Sequence, residues 1–178
     1  MSITAMHLSF SDGPCLPPNL QSIYIKSPRI TMPPMTEWGL QRLNDLSRLT
    51  IGGDIVNTLL KEPLLSISLV DLSISNLSAT KSIEGNGLRH LSSIETLSFY
   101  DCSGLESLSK DMFPSSLKSL YFSDCLVLAS LSEDTLPSSL KLLSIWRCPL
   151  LEARYEYEEH WSNIAHIPVI DINGKLTM

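Results

Sequence analysis

Apolar residues recur along this chain in one spaced pattern: a first residue, two more after three and five positions, and a cysteine eight positions from the first. It reads Ile94-x-x-Leu97-x-Phe99-x-x-Cys102, then Leu117-x-x-Leu120-x-Phe122-x-x-Cys125, then Leu140-x-x-Leu143-x-Ile145-x-x-Cys148. Traced backwards, Leu69, Leu72, Ile74 and Leu77 keep the spacing with leucine in place of cysteine. Leu46, Leu49 and Ile51 keep it up to Asp54, and Leu20, Ile23 and Ile25 up to Pro28. The unit starts at 20, 46, 69, 94, 117 and 140 are 26, 23, 25, 23 and 23 residues apart. Within each unit the polar and apolar positions alternate with period two, which predicts a short strand with one buried face. Leu105 and Leu108, then Leu128 and Leu131, follow the cysteines at a fixed offset and are expected to bend the chain inward. The returns carry Pro, Gly and Ser, as in Ser103-Gly104 and Pro114-Ser115-Ser116, which predicts irregular loops and isolated turns with few helices. The longest early return, Thr31 to Asn44, has Met35, Trp38, Leu40 and Leu43 to fill it.

This spacing and this period are the leucine-rich-repeat signature. The fold it predicts is an α/β solenoid: a leucine-rich-repeat horseshoe with a parallel concave sheet, irregular convex loops and a C-terminal cap. Residues 1–148 form the solenoid, about six units plus a partial N-terminal one, and 149–178 form the cap. One unit cannot bury its apolar face alone, so the units stack and their strands run side by side. Cys102, Cys125 and Cys148 then form an inward column that packs and hydrogen-bonds loop backbone. In the cap segment Leu150 to His166, Leu151, Tyr155, Trp161, Ile164 and Ala165 lie among Glu152, Glu156, Glu158 and Glu159, which predicts that part of it is a capping helix, ending before Pro168. Val169, Ile170 and Ile172 predict a last strand closed by an Asn173-Gly174 turn. At the front, Ile3, Met6 and Leu8 read as a partial unit starting 17 residues before Leu20. With no cap before it, the chain reads as the back end of a longer protein.

Composition narrows the function. The 178 residues carry a net charge of −6, with 43% hydrophobic residues and no basic stripe. Long-range charge therefore does not draw the chain to nucleic acid or to an anionic membrane. Residues 1–18 have neither a cationic start nor a sustained apolar run, and no apolar stretch is long enough to span a bilayer. Three of the four cysteines occupy one repeat position, which reads as reduced thiols rather than a disulfide framework. The expected compartment is the cytoplasm, with the nucleus as the alternative.

No enzyme is expected, because no nucleophile, base and orienter can be placed together. There is no Gly-x-Ser-x-Gly elbow. His160 and His166 are six apart, a poor spacing for zinc on one helix face. Gly85-Asn86-Gly87 reads as a loop turn, and Asn76-Leu77-Ser78 is a formal glycosylation sequon that matters only in a secreted protein. No metal or cofactor is called for. The chemistry lies in the strand residues between the buried ones, which face the concave side. At the fifth position of the units these are Tyr24, Thr50, Ser73, Ser98, Tyr121 and Ser144. At the seventh they are Lys26, Gly52, Ser75, Tyr100, Ser123 and Trp146, and at the eighth Ser27, Gly53, Asn76, Asp101, Asp124 and Arg147. Most are small and polar. Toward the C-terminal end Tyr100, Tyr121 and Trp146 gather with Asp101, Asp124, Lys118 and Arg147, and aromatics with a few charges are what protein interfaces use as hot spots.

The near copies Phe113-Pro-Ser-Ser-Leu-Lys-Ser-Leu and Leu136-Pro-Ser-Ser-Leu-Lys-Leu-Leu, and the run Leu-Pro-Ser-Ser-Leu-Lys-x-Leu-x-Ile-x-x-Cys-Pro-x-Leu at 136–151, carry a resemblance. They resemble the C-terminal repeat region of plant intracellular immune receptors of the nucleotide-binding, coiled-coil type. The tail Glu158-Glu-His-Trp-Ser-Asn-Ile-Ala-His-Ile-Pro-Val-Ile-Asp-Ile172 is similar to that family's ending. The resemblance covers the whole chain and is strongest from Leu91 onward. It implies a defense role: recognition of a pathogen effector or a guarded host protein, and restraint of the receptor's own nucleotide-binding domain. The chain has no Gly-x-x-x-x-Gly-Lys-Ser/Thr loop, so the family's ADP/ATP binding does not carry over. The alternatives are a substrate-recognition adaptor of a ubiquitin ligase and a secreted repeat inhibitor; the latter class has paired capping cysteines and a Gly-x-Ile-Pro element, both lacking here.

Overall fold

In the computed structural model the described residues are 2–5, 16–25, 37–53, 55–61, 63–83, 88–109, 112–131, 136–156 and 158–177. They form an α/β fold with a mostly parallel sheet and few helices. The strands are β1 (Ser2–Ala5), β2 (Ser22–Ile25), β3 (Arg48–Gly52), β4 (Asp71–Ser75), β5 (Ser82–Ile83), β6 (Thr96–Tyr100), β7 (Ser107–Leu108), β8 (Ser119–Ser123), β9 (Leu142–Trp146), β10 (Val169–Ile172) and β11 (Lys175–Thr177). The helices are α1 (Ile55–Lys61), α2 (Pro149–Tyr155) and α3 (Glu158–Trp161). The main sheet has nine strands in the order β1-β2-β3-β4-β6-β8-β9-β10-β11, so neighbours in space follow chain order. All its pairings are parallel except β10 with β11. Strands β5 and β7 make a second, two-residue parallel ladder.

The register stacks like on like. Leu49, Leu72, Leu97, Leu120, Leu143 and Ile170 are successive partners, as are Ile51, Ile74, Phe99, Phe122, Ile145 and Ile172. All but the half-buried Ile172 are fully or nearly fully buried in one continuous core. Phe99 and Phe122 stack with ring centroids 5.1 Å apart and planes 7° apart. The unit-start residues Leu20, Leu46, Leu69, Ile94, Leu117 and Leu140 are buried too, as are Leu105, Leu108, Leu128 and Leu131. Burying one such side chain contributes about 1.5–3 kcal/mol, so the stacked columns carry most of the favourable energy.

Polar groups bridge successive units as well. Ser68, Ser116 and Ser139 each precede a unit start, and each hydroxyl donates to the start carbonyl of the preceding unit: Leu46 at 2.8 Å, Ile94 at 2.6 Å and Leu117 at 2.7 Å. This is the structural use of the second serine in the repeated Pro-Ser-Ser-Leu. The three cysteines are free and buried, in a column as expected. Their sulfurs lie near strand-end carbonyls, Tyr100 at 3.4 Å, Ser123 at 3.6 Å and Trp146 at 3.3 Å, and Cys102 also bonds the loop backbone at Leu77.

One feature departs from the sequence reading and two add detail to it. Strand β1 is displaced: Ile3 lies opposite Ile23 and Ala5 opposite Ile25, so Ile3 does not align with Leu20 as a unit start. Met6 and Leu8 lie outside the described residues, as do Lys26, Ser27, Met35 and Gly85-Asn86-Gly87. A real helix, α1, fills the return after β3, burying Val56, Leu59 and Leu60 at helical spacing. The terminal segment, expected to be helical in part, holds two short helices. Pro149 opens α2, where its missing N–H costs nothing, and Glu152 Oε1 accepts from the Cys148 N–H at 2.6 Å. The last strand forms as expected, pairing with β9 on one side and with β11 on the other across the Asn173-Gly174 turn. The φ values there, 50° and 79°, suit a type I′ hairpin.

Candidate protein-binding face

Alternation fixes which residues the sheet presents. With Leu120 and Phe122 in the core, Ser119, Tyr121 and Ser123 lie on the opposite, open face. The register aligns Thr50, Ser73, Ser98, Tyr121, Ser144 and Asp171 in one row and Gly52, Ser75, Tyr100, Ser123 and Trp146 in the next. Tyr121 stands one strand across and two residues along from both Tyr100 and Trp146, about 8 Å at ordinary sheet spacings. The three rings thus triangulate around Ser123. Tyr100 and Trp146 remain 42% and 46% exposed, large apolar groups left uncovered by the fold. Trp146 Cζ3 lies 3.6 Å from where a Cβ on Gly174 would stand, so the indole rests beside the hairpin turn. Ser98 is buried although it lies on this face.

At the eighth position the backbone turns left-handed. Gly53, Asn76, Asp101, Asp124 and Arg147 have φ of 77°, 55°, 53°, 56° and 53°. Asn and Asp tolerate this region, and Arg147 is the residue type least suited to it. The ladder continues through the column: Gly53, Asn76, Asp101 and Asp124 donate their N–H groups to Ser75, Tyr100, Ser123 and Trp146. Arg147 has no further parallel carbonyl, and its N–H donates to Asn173 Oδ1 at 2.9 Å instead. Its guanidinium Nε lies 3.0 Å from Asp124 Oδ1, while Ser123 Oγ donates to Asp124 Oδ2 at 2.8 Å. Asp124 and Arg147 therefore neutralise one another. Asp101 is exposed and, among the described residues, has no ion-pair partner.

Lys118 does not join this group. It precedes β8, five residues before the level of Tyr100 and Trp146, or roughly 16 Å along an extended strand. Its ammonium pairs with Glu95 on the preceding unit. The sequence reading grouped Lys118 with Tyr100, Tyr121 and Trp146, and the extended strand sets it apart from them.

The open face also holds a shallow basin of about 330 Å³, lined by Tyr24, Thr50, Ser73, Ser75, Asn76, Tyr100 and Asp101. Only Tyr100 and Asp101 belong to the group singled out from sequence. The missed signal was smallness itself: Thr50, Ser73 and Ser75 leave space between two tyrosines. Beside it, Asp71 lies opposite Arg48. Burial raises its carboxyl above the usual value, while Arg48 and a hydrogen bond with Ser73 act in the other direction.

The thiol column is electrostatically coupled. Donation to Cys102, together with burial, pushes the Cys125 thiol up to about 12, and donation to Cys125 pushes Cys148 up as well. Cys102, at the accepting end, is drawn below the ordinary thiol value by the bond from Cys125. Among the described residues no group of three or more His, Cys, Asp or Glu side chains could hold a metal ion. Among the same residues no helix is long and apolar enough to cross a membrane. No family model, no curated protein and no solved structure matches the chain.

Proposed function

We propose that the chain is a leucine-rich-repeat solenoid whose concave face binds another protein, and that it is the recognition and autoinhibition region of a plant intracellular immune receptor, working in the cytoplasm. The observation that carries the binding role is the triangle of Tyr100, Tyr121 and Trp146 on the open face of a parallel sheet. Partly exposed rings bury large area at low entropic cost when a partner docks. Strand spacing of 23–26 residues in chain order supports the repeat architecture, and the Pro-Ser-Ser-Leu repeats with the Glu158–Ile172 tail support the receptor assignment. The ligand is a pathogen effector, a guarded host protein or the receptor's own nucleotide-binding domain. The test replaces Tyr121 and Trp146 by Ala in the parent receptor and measures effector response and signalling without effector. Loss of response or gain of autoactivity is expected, and unchanged values for both would remove the assignment.

A further inference from the structure

The basin on the open face differs from the aromatic triangle in one respect: it holds a carboxylate that has no cationic partner among the described residues. Its walls are Tyr24 and Tyr100, and its floor is Thr50, Ser73 and Ser75. Asn76 Nδ2 donates to Ser75 Oγ at 3.4 Å, and Ser75 Oγ to Ile51 O at 3.5 Å, so part of the floor already spends its donors within the protein. Asp101 stands at the edge. Nearby carboxylates are matched by cations: Asp124 by Arg147, Glu95 by Lys118, Glu106 by Lys81, and Asp71 lies opposite Arg48. Among the described residues Asp101 is matched by none.

We infer that this basin is a seat for a cationic side chain, an arginine or lysine, presented by a basic segment of the protein partner. Tyrosine rings offer their negative faces to a cation, a free carboxylate offers a charge-assisted bond, and hydroxyls accept the remaining N–H groups. An anion is repelled by Asp101. The net charge of −6 draws a basic segment in from a distance. The inference rests on the protein-binding reading above and adds to it the chemistry of the bound residue.

The probe is a random dodecapeptide library selected on the immobilised full chain. The expected outcome is peptides with Arg or Lys at one fixed position. Binding by Asp101→Asn should fall about tenfold to a hundredfold, the loss of one charge-assisted bond. Asn tolerates the left-handed backbone at this position, so that variant keeps the fold. Asp101→Glu should retain part of the binding, and Ser73→Tyr, which fills the basin, should abolish it. Peptides that share no cation, or that bind Asp101→Asn as well as the parent, overturn the inference. If they depend on Tyr121 and Trp146 but not on Asp101, the protein-binding reading survives without it. If no peptide is selected, both fall.

Discussion

Gly104 is where the packing leaves least room, and Gly104→Ala tests how tightly the returns pack. An added Cβ would stand 2.3 Å from the Ser78 carbonyl oxygen and 2.7 Å from its carbon. Ordinary carbon–oxygen contacts begin near 3.3 Å, so one backbone must retreat by about 1 Å. The obstruction is main chain and cannot rotate aside. Retreat also stretches the bond from Gly104 N–H to Leu77 O, now 2.8 Å. Overpacking of this kind costs about 1–3 kcal/mol and a lost hydrogen bond about 1 kcal/mol. The stiffer unfolded chain returns about 0.4–1 kcal/mol. The net expectation is destabilisation of about 2 kcal/mol. Urea unfolding followed by circular dichroism should show it as a midpoint lowered by about 1 M, for a slope near 2 kcal/mol/M. Ser103→Ala, one residue away, is the control and should shift the midpoint little. A Gly104→Ala midpoint within about 0.2 M of the parent would refute the close approach of these two returns. Positions 127 and 150, one and two repeat steps on, carry Val127 and Leu150, so the demand belongs to this pair of units and not to the repeat.

Two further outcomes follow from the polar columns, beside the tests attached to the proposals above. Ser116→Ala and Ser139→Ala should each cost about 1 kcal/mol by removing a bond between units, whereas exposed Ser115→Ala should stay within about 0.5 kcal/mol, all read by the same urea titration. The thiol column predicts a loss of stability in alkali. Cys125 is raised from 9.0 to about 12 in the folded state, so the unfolded chain gives up that proton first. Its contribution is complete below pH 9 and is lost as pH rises from there toward 12. A melting temperature that falls over this window in the parent, and less in Cys125→Ala, is expected; equal profiles would contradict it.

Much of this fold was legible because burial repeats. The spacing of Leu97, Phe99 and Cys102 and of its copies sets strand, register and core together, and the stacked columns follow from it. What escaped notice was held in fewer residues than a period. At the front, Ile3-x-Ala5 fits the alternation as well as Ile3-x-x-Met6 fits the unit, and the sequence offers no way to choose. In α1, Val56, Leu59 and Leu60 span less than two turns, too little for a periodic signal. The Pro-Ser-Ser-Leu serines read as loop filler because their acceptors lie a whole unit away. For the candidate site, alternation placed Tyr100, Tyr121 and Trp146 on one face, and Asn and Asp at the eighth position fit a left-handed turn. Lys118 fell outside the group because each strand residue advances the chain by about 3.3 Å, so five residues set it well away. The basin was overlooked because it consists of what side chains do not fill.

The division between buried and open positions bears on what a substitution changes. In the rows behind the sheet the residues are nearly interchangeable: Leu or Ile in one, Ile or Phe in the other. In front, neighbouring units place Thr, Ser and Tyr in one row and Gly, Ser, Tyr and Trp in the next. A change in the buried row is felt as a cavity or a clash, worth several kcal/mol against a total stability of that order. A change at Tyr100 or Trp146, already nearly half exposed, removes little from the core and alters what the face can hold. Core and open surface thus reside in alternate residues of the same strands. The left-handed column extends that separation past each strand end, because its ladder bonds come from backbone N–H groups whatever side chain is present. Asp101 and Asp124 share one backbone conformation, yet one carboxylate is tied to Arg147 and the other has no cationic partner among the described residues, so their different surroundings come from the neighbouring unit.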